Sequence, residues 1–405
     1  MAMALEGIRI VDWTIFQQGP VGTMMLADLG AEVIHVEERV GGDPGRGVMQ
    51  IAWTMLGMQS NRNFYFEANN RNKKSLTVDL KKEKGREIIY RLVEKSDVFV
   101  QNFRKGVADR LGLGYQTLSR YNPKLIYASV TGYGPFGPDA AEPSFDYMGM
   151  ARSGIMTAVG DPGSPPQYIF GGIADQMGAI MQAQGVLAAL LARERLGIGQ
   201  EVNTSHLGSM IALQGLNLSA QLIVGSEFKK VPRNKAPSHL WNHYQCGDSK
   251  WICLGMAQAD RYWSDFCKAL GIAELEKDPR FATMEKRAQH CEEFIAILDR
   301  VFASKPRDEW MKILKKGGDF IYTVVNSISD LPSDPQVLAN DYVVDFDHPT
   351  MGPIKVVGQP VTFSKTPGSV RAPAPEFGEH TEQILIDLLG YTWEDIAQLK
   401  EEEVI

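Results

Sequence analysis

The feature that most constrains the fold is a strand–helix–strand pattern at the start of the chain. Gly7–Asp12 is a short β-rich run, Val21–Leu29 has helical spacing and ends before Gly30, and Ala31–Glu37 is a second β-rich run. Parallel neighbouring strands need a long crossover connection, which is usually a helix. The pattern therefore predicts a parallel pair of strands.

The same alternation recurs along the first half of the chain. Further strand-like and helical segments follow one another at Leu76–Leu80, Gly85–Ser96, Asp97–Val100, Leu125–Val130, Gly171–Arg195 and Gln200–Thr204. We therefore predict an α/β, doubly wound domain over residues 1–205. Residues 206–225 are predicted to form a linker, 226–330 a smaller α+β domain, and 331–345 a return linker.

Composition excludes several classes of protein. The chain has 405 residues, enough for two domains, and its 42 Lys+Arg against 49 Asp+Glu give a net charge of −7. A net acidic chain is a poor general binder of nucleic acid. The most apolar long segment, Ile173–Leu191, carries Asp175 and three glutamines, which argues against a membrane span. The start of the sequence lacks the pattern of a secretory signal, so we expect a cytoplasmic protein.

Common motifs for cofactors and metals are mostly absent from the sequence. No GxGxxG follows the first strand, and there is neither a GxxxxGK[ST] loop nor a GxSxG elbow. His239 and His243 have the i, i+4 spacing of metal ligands, but Pro237 precedes them and β-like residues follow. We expect no metal site.

Cationic and amide side chains cluster beside two predicted strands. Asn72-Lys73-Lys74 precedes one strand, Gln101–Gly106 follows another, and Arg110 lies further on. Such groups at strand ends suit a phosphate-bearing ligand, although solvated surface charge explains them equally well.

Asp175 opens the long helical segment behind Gly171 and Gly172. A helix cap is the ordinary role of such an aspartate. The glycines favour a different role, because they allow a ligand to approach the carboxylate closely.

Several separated blocks together resemble the class III CoA-transferases, also called the formyl-CoA transferase/carnitine CoA-transferase family. The likeness spans nearly the whole chain, and the blocks are Gly7–Asp12 with Gln17 and Gly19-Pro20, Ala27–Ile34, Asn72–Leu76, Asn102–Arg104 through Gly112, Gly132-Tyr133-Gly134, Asp175 with its helix, and Phe377–Thr381.

The resemblance implies a fold and a ligand. It implies a Rossmann-like large domain completed by about residues 345–405, a small domain, and two subunits interlocked like links of a chain. It also implies CoA as a co-substrate and no tightly bound cofactor. The partner chain would be a second copy or a paralogous subunit.

The resemblance also implies roles for individual residues. Asp175 matches the catalytic aspartate, with Gln17 and Tyr133 near the reacting centre, and Ile15 and Phe16 beside the acid substrate. The residues that match CoA-binding positions are Gln18, Arg39, Asn102, Phe103, Arg104 and Arg110, together with a basic position that either Lys73 or Lys74 matches.

The sequence departs from formyl-CoA transferase at three of these regions. Ile15 stands where that enzyme has a histidine, and Thr131 stands where it has a lysine. Glu38 stands where it has an arginine, and the next residue in this chain is Arg39. These changes favour a more apolar acid than formate or oxalate. The surroundings of Trp13 and Phe16 are similar to the benzylsuccinate and aromatic-acid branch, with succinyl-CoA as donor.

Two alternatives remain at this stage. Related acyl-CoA racemases carry a His–Asp pair after the Tyr-Gly turn, and here Phe145 precedes Asp146. Racemisation would then lack one of its two proton-transfer groups, so transfer is favoured over racemisation or isomerisation. The other alternative is a catalytically silent subunit of a heteromeric transferase, which the presence of Asp175 disfavours.

Overall fold

The structure is a computed structural model that describes residues 2–51, 53–58 and 62–405. Its strands are β1 Arg9–Trp13, β2 Glu32–Glu37, β3 Gln50–Ile51, β4 Thr54–Met55, β5 Lys73–Thr77, β6 Val98–Gln101, β7 Ile126–Thr131, β8 Gln200–Ser205, β9 Trp241–Gln245, β10 Trp251–Gly255, β11 Tyr322–Val325, β12 Val343–His348 and β13 Gly352–Val357.

Helices connect most of these strands. They are α1 Gln18–Asp28, α2 Phe64–Asn70, α3 Glu83–Glu94, α4 Val107–Arg110, α5 Tyr115–Tyr121, α6 Asp146–Ser153, α7 Ile155–Ala158, α8 Ile173–Leu196, α9 His206–Leu213, α10 Gly215–Val224, α11 Ala259–Leu270, α12 Met284–Gln289, α13 Cys291–Ala303, α14 Arg307–Gly317, α15 Pro335–Ala339, α16 Thr381–Gln383 and α17 Trp393–Glu401.

The chain divides into two compact units. The first comprises the chain up to Val159 together with Pro166–Glu227 and Gln336–Ile405, and the second comprises Gly160–Pro165 and Phe228–Pro335. Residues 206–225, predicted as a linker, therefore belong to the first unit, where they form α9 and α10. Met210 of α9 is fully buried, and this burial explains why the segment packs instead of bridging.

A parallel sheet is the centre of the first unit. In the described part of the chain its order is β5-β2-β1-β6-β7-β8, and every neighbouring pair is parallel. From β1 the successive strands β2 and β5 are added on one side of the sheet, and β6, β7 and β8 are then added on the other side. This change of direction puts a topological switch point between β1 and β6, where open α/β sheets bind ligands at the carboxyl ends of the strands.

Apolar helices cover both faces of the sheet. On one face Val186 and Leu190 of α8 pack with Leu26 of α1, and on the other Ile88 and Leu92 of α3 pack against the strands. The C-terminal segment joins this second layer through the side chains of Ile384, Leu385, Leu389, Ile396 and Leu399. A large α/β domain completed by the C-terminal segment is thus confirmed.

The C-terminal region is more ordered than its composition indicates. Residues 331–375 have many prolines and glycines, which favour an extended chain, but β12 and β13 form an antiparallel hairpin there. A further helix, α17, follows α16. It begins at a capping box in which Thr392 and Asp395 satisfy each other's backbone N–H groups.

The second unit contains an antiparallel sheet of order β11-β10-β9 with α11–α14. His239, one of the two histidines with metal-ligand spacing, is fully buried there, and its Nε2 accepts a hydrogen bond from Arg287 Nε at 3.0 Å. His243 is exposed on β9. Within the described residues, no group of three or more His, Cys, Asp or Glu side chains lies close enough to hold a metal ion.

Helix α10 has an unusual surface. None of its residues is buried, and Leu216, Leu222, Ile223 and Val224 are each at least 74% exposed. Among the described helices, none alone has the length and apolarity to cross a membrane, and only α9 and α10 taken together, bent by 77°, pass that test.

Candidate active site

A cavity of about 530 Å³ opens at the switch point of the parallel sheet. Its wall is built from the segments that follow β1 and β6 and from the end of β7. The predicted site residues that line it are Ile15, Phe16, Gln17, Gln18, Asn102, Phe103, Arg104, Arg110 and Asp175. Residues far apart in the sequence are thus brought to one place.

A second cavity of about 380 Å³ lies beside the first. Ile15, Phe103 and Val107 line both, so the two cavities share a wall. The ring of Phe103 packs on Trp13 with centroids 4.2 Å apart. The two neighbouring cavities together offer room for a long ligand.

Asp175 lies in the first turn of α8, and it does not cap that helix. The N-terminal backbone groups are satisfied by Asp146 of α6, whose Oδ1 accepts from Ala174 N at 2.6 Å and from Asp175 N at 3.2 Å. The N-cap residue itself is Gly172, which makes no side-chain cap. The Asp175 carboxylate is therefore not used as a helix cap. It is available to contact a ligand, which is the alternative role that the adjacent glycines favoured.

His206 is the hydrogen-bond partner of Asp175. Its Nε2 lies 2.8 Å from Asp175 Oδ1, and its Nδ1 lies 3.4 Å from Ser144 Oγ. The imidazole is buried, while 16% of the Asp175 side chain is exposed, so a ligand in the cavity reaches the carboxylate. For Asp175 Oδ2 we find no hydrogen-bond donor among the described residues.

Sequence reasoning missed His206. It falls in the predicted linker, whereas it is the first residue of α9, directly after β8. The signal was available, because side chains that follow parallel strands meet at the carboxyl edge of the sheet. Ser205 caps α9 by accepting from Gly208 N at 3.0 Å, and this cap fixes the position of His206 at the start of the helix.

Burial dominates the electrostatics of the carboxylate. It raises the pKa of Asp175, and the nearby charge of Asp146 adds to that effect, while the hydrogen bond from His206 opposes it. Any preference of the helix N-terminus for the ionised form is thus outweighed. Tyr65 also lines the cavity, and burial together with the charges of Asp175 and Asp43 raises its pKa strongly, so the phenol keeps its proton.

The β1–α1 loop is held in a strained conformation beside the cavity. Phe16 has φ +65°, which is rare for a bulky residue. Its N–H donates to Asp43 Oδ1 at 3.1 Å. Asn102 exchanges two hydrogen bonds with the backbone of Ile15, at 2.9 and 2.8 Å. Asn102 therefore holds this loop in place at the cavity wall.

Gln17 and Gln18 pack on the glycines of α8. A Cβ at Gly172 would lie 2.6 Å from the amide of Gln17, and one at Gly178 would lie 2.3 Å from Gln18 Nε2. Gln18 is only 4% exposed, and its Nε2 lacks a hydrogen-bond partner among the described residues. Both side-chain amides line the cavity that contains Asp175.

Substitution of Gly172 by alanine is expected to lower activity by displacing Gln17. Gly172 has φ +69°, and the new methyl group would overlap the Gln17 amide. Gly171→Ala is the matched control, because Gly171 has φ +102° and a methyl group there would meet no atom within 4 Å. Both variants carry backbone strain, of about 1–2 kcal/mol at Gly172 and more at Gly171, whose φ lies beyond the left-handed region that other residues adopt. Kinetic constants of both variants test this, and an equal loss in the two would assign the effect to backbone strain alone.

The predicted role of Lys73 in ligand binding is wrong, because its ammonium group is buried under the sheet edge. Lys73 Nζ donates to Asp12 Oδ2, Pro20 O and Asn70 Oδ1, each at 2.8 Å. These three acceptors use all the donors of an ammonium group. The side chain has no exposed surface, so it offers nothing to a ligand.

Lys73 belongs to a buried ionic cluster with Asp12 and His35. Burial alone would raise the pKa of Asp12, but Lys73 and His35 outweigh it and hold that pKa well below its usual range. Burial alone would lower the pKa of His35, but Asp12, at 3.0 Å from Nδ1, and Asp43 raise it to about 9. The cluster thus carries charges of both signs at neutral pH. It supports the loop at Phe16 through Asp43.

The other predicted residues lie outside the first cavity. Lys74 pairs with Glu32 at 2.7 Å near the amino end of β5, at the opposite edge from the site. Arg39 pairs with Glu403 at 3.3 Å. Tyr133 lies with its ring 4.9 Å from the Arg152 guanidinium carbon. Neither Lys74 nor Tyr133 lines either of the two cavities formed by the described residues.

Two of the predicted cationic residues, Arg104 and Arg110, do lie at the first cavity. Arg104 and Arg110 are exposed, line the cavity, and make no ion pair with any described residue. Both follow β6. They are therefore free to meet an anionic ligand at this edge of the sheet.

Comparison with known proteins agrees with this geometry. The sequence matches the family described as CoA-transferase family III over residues 5–381. It is 33% identical to succinyl-CoA–D-citramalate CoA-transferase of Chloroflexus aurantiacus, covering 99% of this chain and 98% of the relative. It is 34% identical to succinyl-CoA:glutarate CoA-transferase of Mus musculus, covering 96% and 87%.

A solved structure gives the same result. The fold matches the crystal structure of a CAIB/BAIF family protein from Brucella suis with a TM-score of 0.84 and 30% sequence identity, covering 96% of this chain and 100% of the other. A family match over nearly the whole chain, relatives that are named CoA-transferases, and a shared fold lead to one conclusion. The chain belongs to CoA-transferase family III, and the protein is a CoA-transferase that uses CoA thioesters as co-substrates.

Proposed function

We propose that this enzyme transfers CoA from a donor thioester such as succinyl-CoA to an aromatic or dicarboxylic acid such as benzylsuccinate, with Asp175 as the nucleophile. The observation that carries the proposal is the state of the Asp175 carboxylate. One of its oxygens is held by His206, and the other has no hydrogen-bond donor among the described residues. The Asp175 side chain lines a cavity at the ligand-binding edge of the sheet.

The proposed reaction consists of four acyl transfers. Asp175 Oδ2 attacks the carbonyl carbon of the donor thioester, and the C–S bond breaks to give a mixed anhydride and CoA thiolate. The thiolate attacks the aspartyl carbonyl carbon, which gives aspartyl-CoA thioester and releases the donor acid as a carboxylate. The acceptor carboxylate then attacks aspartyl-CoA to give a second anhydride and thiolate. Attack of that thiolate on the acceptor carbonyl yields the new CoA thioester and regenerates Asp175.

Side chains around Asp175 support stabilisation of the oxyanions in these steps. Ala174 and Asp175 N–H are already taken by Asp146, so they are poor candidates for this role. The Gln17 amide lines the cavity beside Gly172, and it can donate to an oxyanion on the donor or acceptor carbonyl.

The two neighbouring cavities support CoA as the long ligand. Arg104 and Arg110 supply unpaired positive charge for its phosphates at the first cavity, and the apolar wall of Trp13 and Phe103 suits a planar base in the second. Charge-assisted bonds from arginine to phosphate are among the strong hydrogen bonds of proteins.

We expect Arg104→Gln and Arg110→Gln each to raise KM for the CoA thioester by about tenfold with little change in kcat, because each removes a charged hydrogen bond of about 1.5–3 kcal/mol to a group that does not react. Arg120→Gln changes the net charge equally and is the contrast, since Arg120 is exposed on α5 and lines neither of the two cavities. Initial rates against thioester concentration measure the effect. An equal rise in KM for all three variants would mean general electrostatic attraction.

The walls near Asp175 support an acceptor with an apolar part. Ile15 and Phe16 line the cavity, and the ring of Phe145 meets that of Phe16 edge-on at 5.9 Å. The names of relatives that use succinyl-CoA with D-citramalate or glutarate support succinyl-CoA as donor and a dicarboxylic acid as acceptor.

The test is a substrate panel. Purified protein is incubated with succinyl-CoA and with benzylsuccinate, other aromatic acids, glutarate or citramalate, and new acyl-CoA is measured by mass spectrometry. We expect the fastest transfer to an acid that combines an aryl group with a second carboxylate. Transfer to small dicarboxylates alone would overturn the aromatic part of the proposal, and no transfer from succinyl-CoA to any of these acids would overturn the proposed donor and acceptors together.

One observation favours a second candidate, an acyl-CoA racemase or isomerase. His206 supplies beside Asp175 the histidine that position 145 lacks. Its hydrogen bond to Asp175 argues against this candidate, because two bases that exchange an α-proton must face opposite sides of the carbon. Incorporation of deuterium from D₂O at the α-carbon of a branched acyl-CoA, without CoA transfer, would support racemisation.

We further propose that the first unit pairs with a second copy or a paralogous subunit through α10. The exposed face of Leu216, Leu222 and Ile223 is too apolar for an isolated surface helix. Leu222→Glu with Ile223→Glu is expected to shift the purified protein from dimer to monomer in size-exclusion chromatography with light scattering. A wild-type monomer that transfers CoA would contradict the pairing.

A further inference from the structure

The buried imidazole of His206 contacts one particular oxygen of the Asp175 carboxylate, Oδ1, and this contact indicates what His206 does. We propose that His206 Nε2–H is the oxyanion donor for the steps that occur at the aspartyl carbon of Asp175. This inference rests on the proposed function, since it concerns the intermediates on Asp175. It makes His206 a catalytic residue in a specific half of the reaction.

The two oxygens of Asp175 are not equivalent. Oδ1 is bound to His206 at 2.8 Å, so Oδ2 is the oxygen free to attack a thioester. After that attack Oδ2 becomes the bridging oxygen of the anhydride, and Oδ1 becomes the carbonyl oxygen of the aspartyl group. When CoA thiolate adds to the aspartyl carbon, the electron pair of the C=O bond moves onto Oδ1. The oxyanion therefore forms on the atom that His206 contacts.

The proton needed for this bond is in the correct place. An ionised carboxylate only accepts hydrogen bonds, so in the contact with Asp175 the proton lies on Nε2. The other ring nitrogen, Nδ1, faces Ser144 Oγ. The 2.8 Å distance falls within the range expected of a donor to an oxyanion.

The imidazole is preorganised by its surroundings. It is 5% exposed and stands at the first position of α9, which Ser205 caps. Its Cβ packs so closely against α6 that a methyl group at Gly149 would lie 2.6 Å away. A rigid donor in a site with little water stabilises developing charge without a cost of reorientation.

The helix amides do not compete for this role. Asp146 already accepts from Ala174 N and Asp175 N. His206 is consequently the one donor to Oδ1 within the described residues. Loss of His206 should slow attack on the aspartyl carbon much more than attack on the donor carbonyl, where the oxyanion lies on the substrate.

The experiment separates these steps by supplying succinyl-CoA without an acceptor. In the wild-type enzyme the thiolate released in the first step attacks the anhydride, so protein-bound CoA accumulates with little free thiol. In His206→Leu the second step is slowed by about 10²–10³-fold, as for loss of one oxyanion donor. We expect that variant to release free CoA thiol, measured with a thiol reagent, and to form little aspartyl-CoA, measured by intact-protein mass.

A conservative variant and a control complete the design. His206→Gln places an amide N–H near the Nε2 position, and we expect aspartyl-CoA to form within about tenfold of the wild-type rate because a single neutral hydrogen bond is retained. His243→Leu alters an exposed histidine of the second unit and should behave as wild type. Circular dichroism and thermal melting establish that each variant is folded.

Each outcome decides the inference. Aspartyl-CoA formation at the wild-type rate in His206→Leu would overturn it. Equal loss in the Leu and Gln variants without thiol release would also overturn it, since that is the pattern of a structural defect before the first step. If wild-type enzyme transfers CoA but never carries it covalently, the aspartyl mechanism fails and this inference fails with it.

Discussion

Asp175→Ala is expected to lower the rate of CoA transfer by about 10⁴-fold or more, because the variant lacks the proposed nucleophile on which the acyl group is carried. The surrounding structure should tolerate the change. Asp146 caps α8 in place of Asp175, so the helix keeps its N-terminal hydrogen bonds. The cavity and its arginines are unaltered, and we expect the KM for the CoA thioester to change little.

The measurement is formation of acyl-CoA by mass spectrometry, together with trapping of the aspartyl intermediate by hydroxylamine. Wild-type protein should yield a hydroxamate at Asp175, and the variant should yield none. Asp387→Ala is the matched control, because Asp387 is an exposed aspartate outside the cavity. Transfer by Asp175→Ala at the wild-type rate would contradict the covalent mechanism. Direct transfer of the donor's CoA to the acceptor would then be the mechanism to examine.

Local pattern predicts the parts of this fold that depend on neighbouring residues. The first strand–helix–strand run and the helix behind Gly171-Gly172 lie where the sequence places them. The strand order β5-β2-β1-β6-β7-β8 places the topological switch point between β1 and β6. The cavity is at that point, where local pattern places Arg104 after a strand, whereas Asp175 and Gln17 were assigned to the same site by the resemblance to class III CoA-transferases.

Tertiary packing decides what the sequence could not. Lys73 and Lys74 are consecutive residues of the same type, and the alternation of a strand sends one into the interior and the other toward the surface. Nothing in the sequence marks Lys73 as the partner of Asp12, which lies 61 residues away. His206 differs from Lys73, because its place directly after β8 did mark it, but the sequence did not show which residue it meets. It lies 31 residues from Asp175, and only the packing of α9 beside α8 brings the two together.

The buried cluster shows how the fold and the site depend on one another. Asp12, Lys73 and His35 have no exposed side-chain surface. Asp43 contacts His35 and also accepts from Phe16 N. The charged groups under the sheet edge are thus connected to the strained loop that forms the cavity wall.

Lys73→Met is accordingly expected to destabilise the protein by about 3–5 kcal/mol, because removal of one partner leaves the carboxylate of Asp12 buried with less compensating charge. Lys74→Met is the matched control. Lys74 is adjacent, of the same type, and paired with Glu32, but its side chain is 37% exposed. An exposed pair of this kind contributes about 0–1 kcal/mol. Denaturant unfolding of both variants, followed by tryptophan fluorescence and circular dichroism, measures the difference.

A double variant also tests whether the destabilisation by Lys73→Met arises from the buried charge of Asp12. If Lys73 acts through Asp12, then Asp12→Asn should remove much of the penalty of Lys73→Met, because residue 12 no longer carries a buried charge and His35 keeps Asp43 as its acidic neighbour. The double variant should then be more stable than the sum of the two single changes predicts. Equal destabilisation by Lys73→Met and Lys74→Met would mean that the buried ammonium contributes no more than a surface ion pair. In that case the packing of β5 against β2, and not the charge cluster, would hold the cavity wall in place.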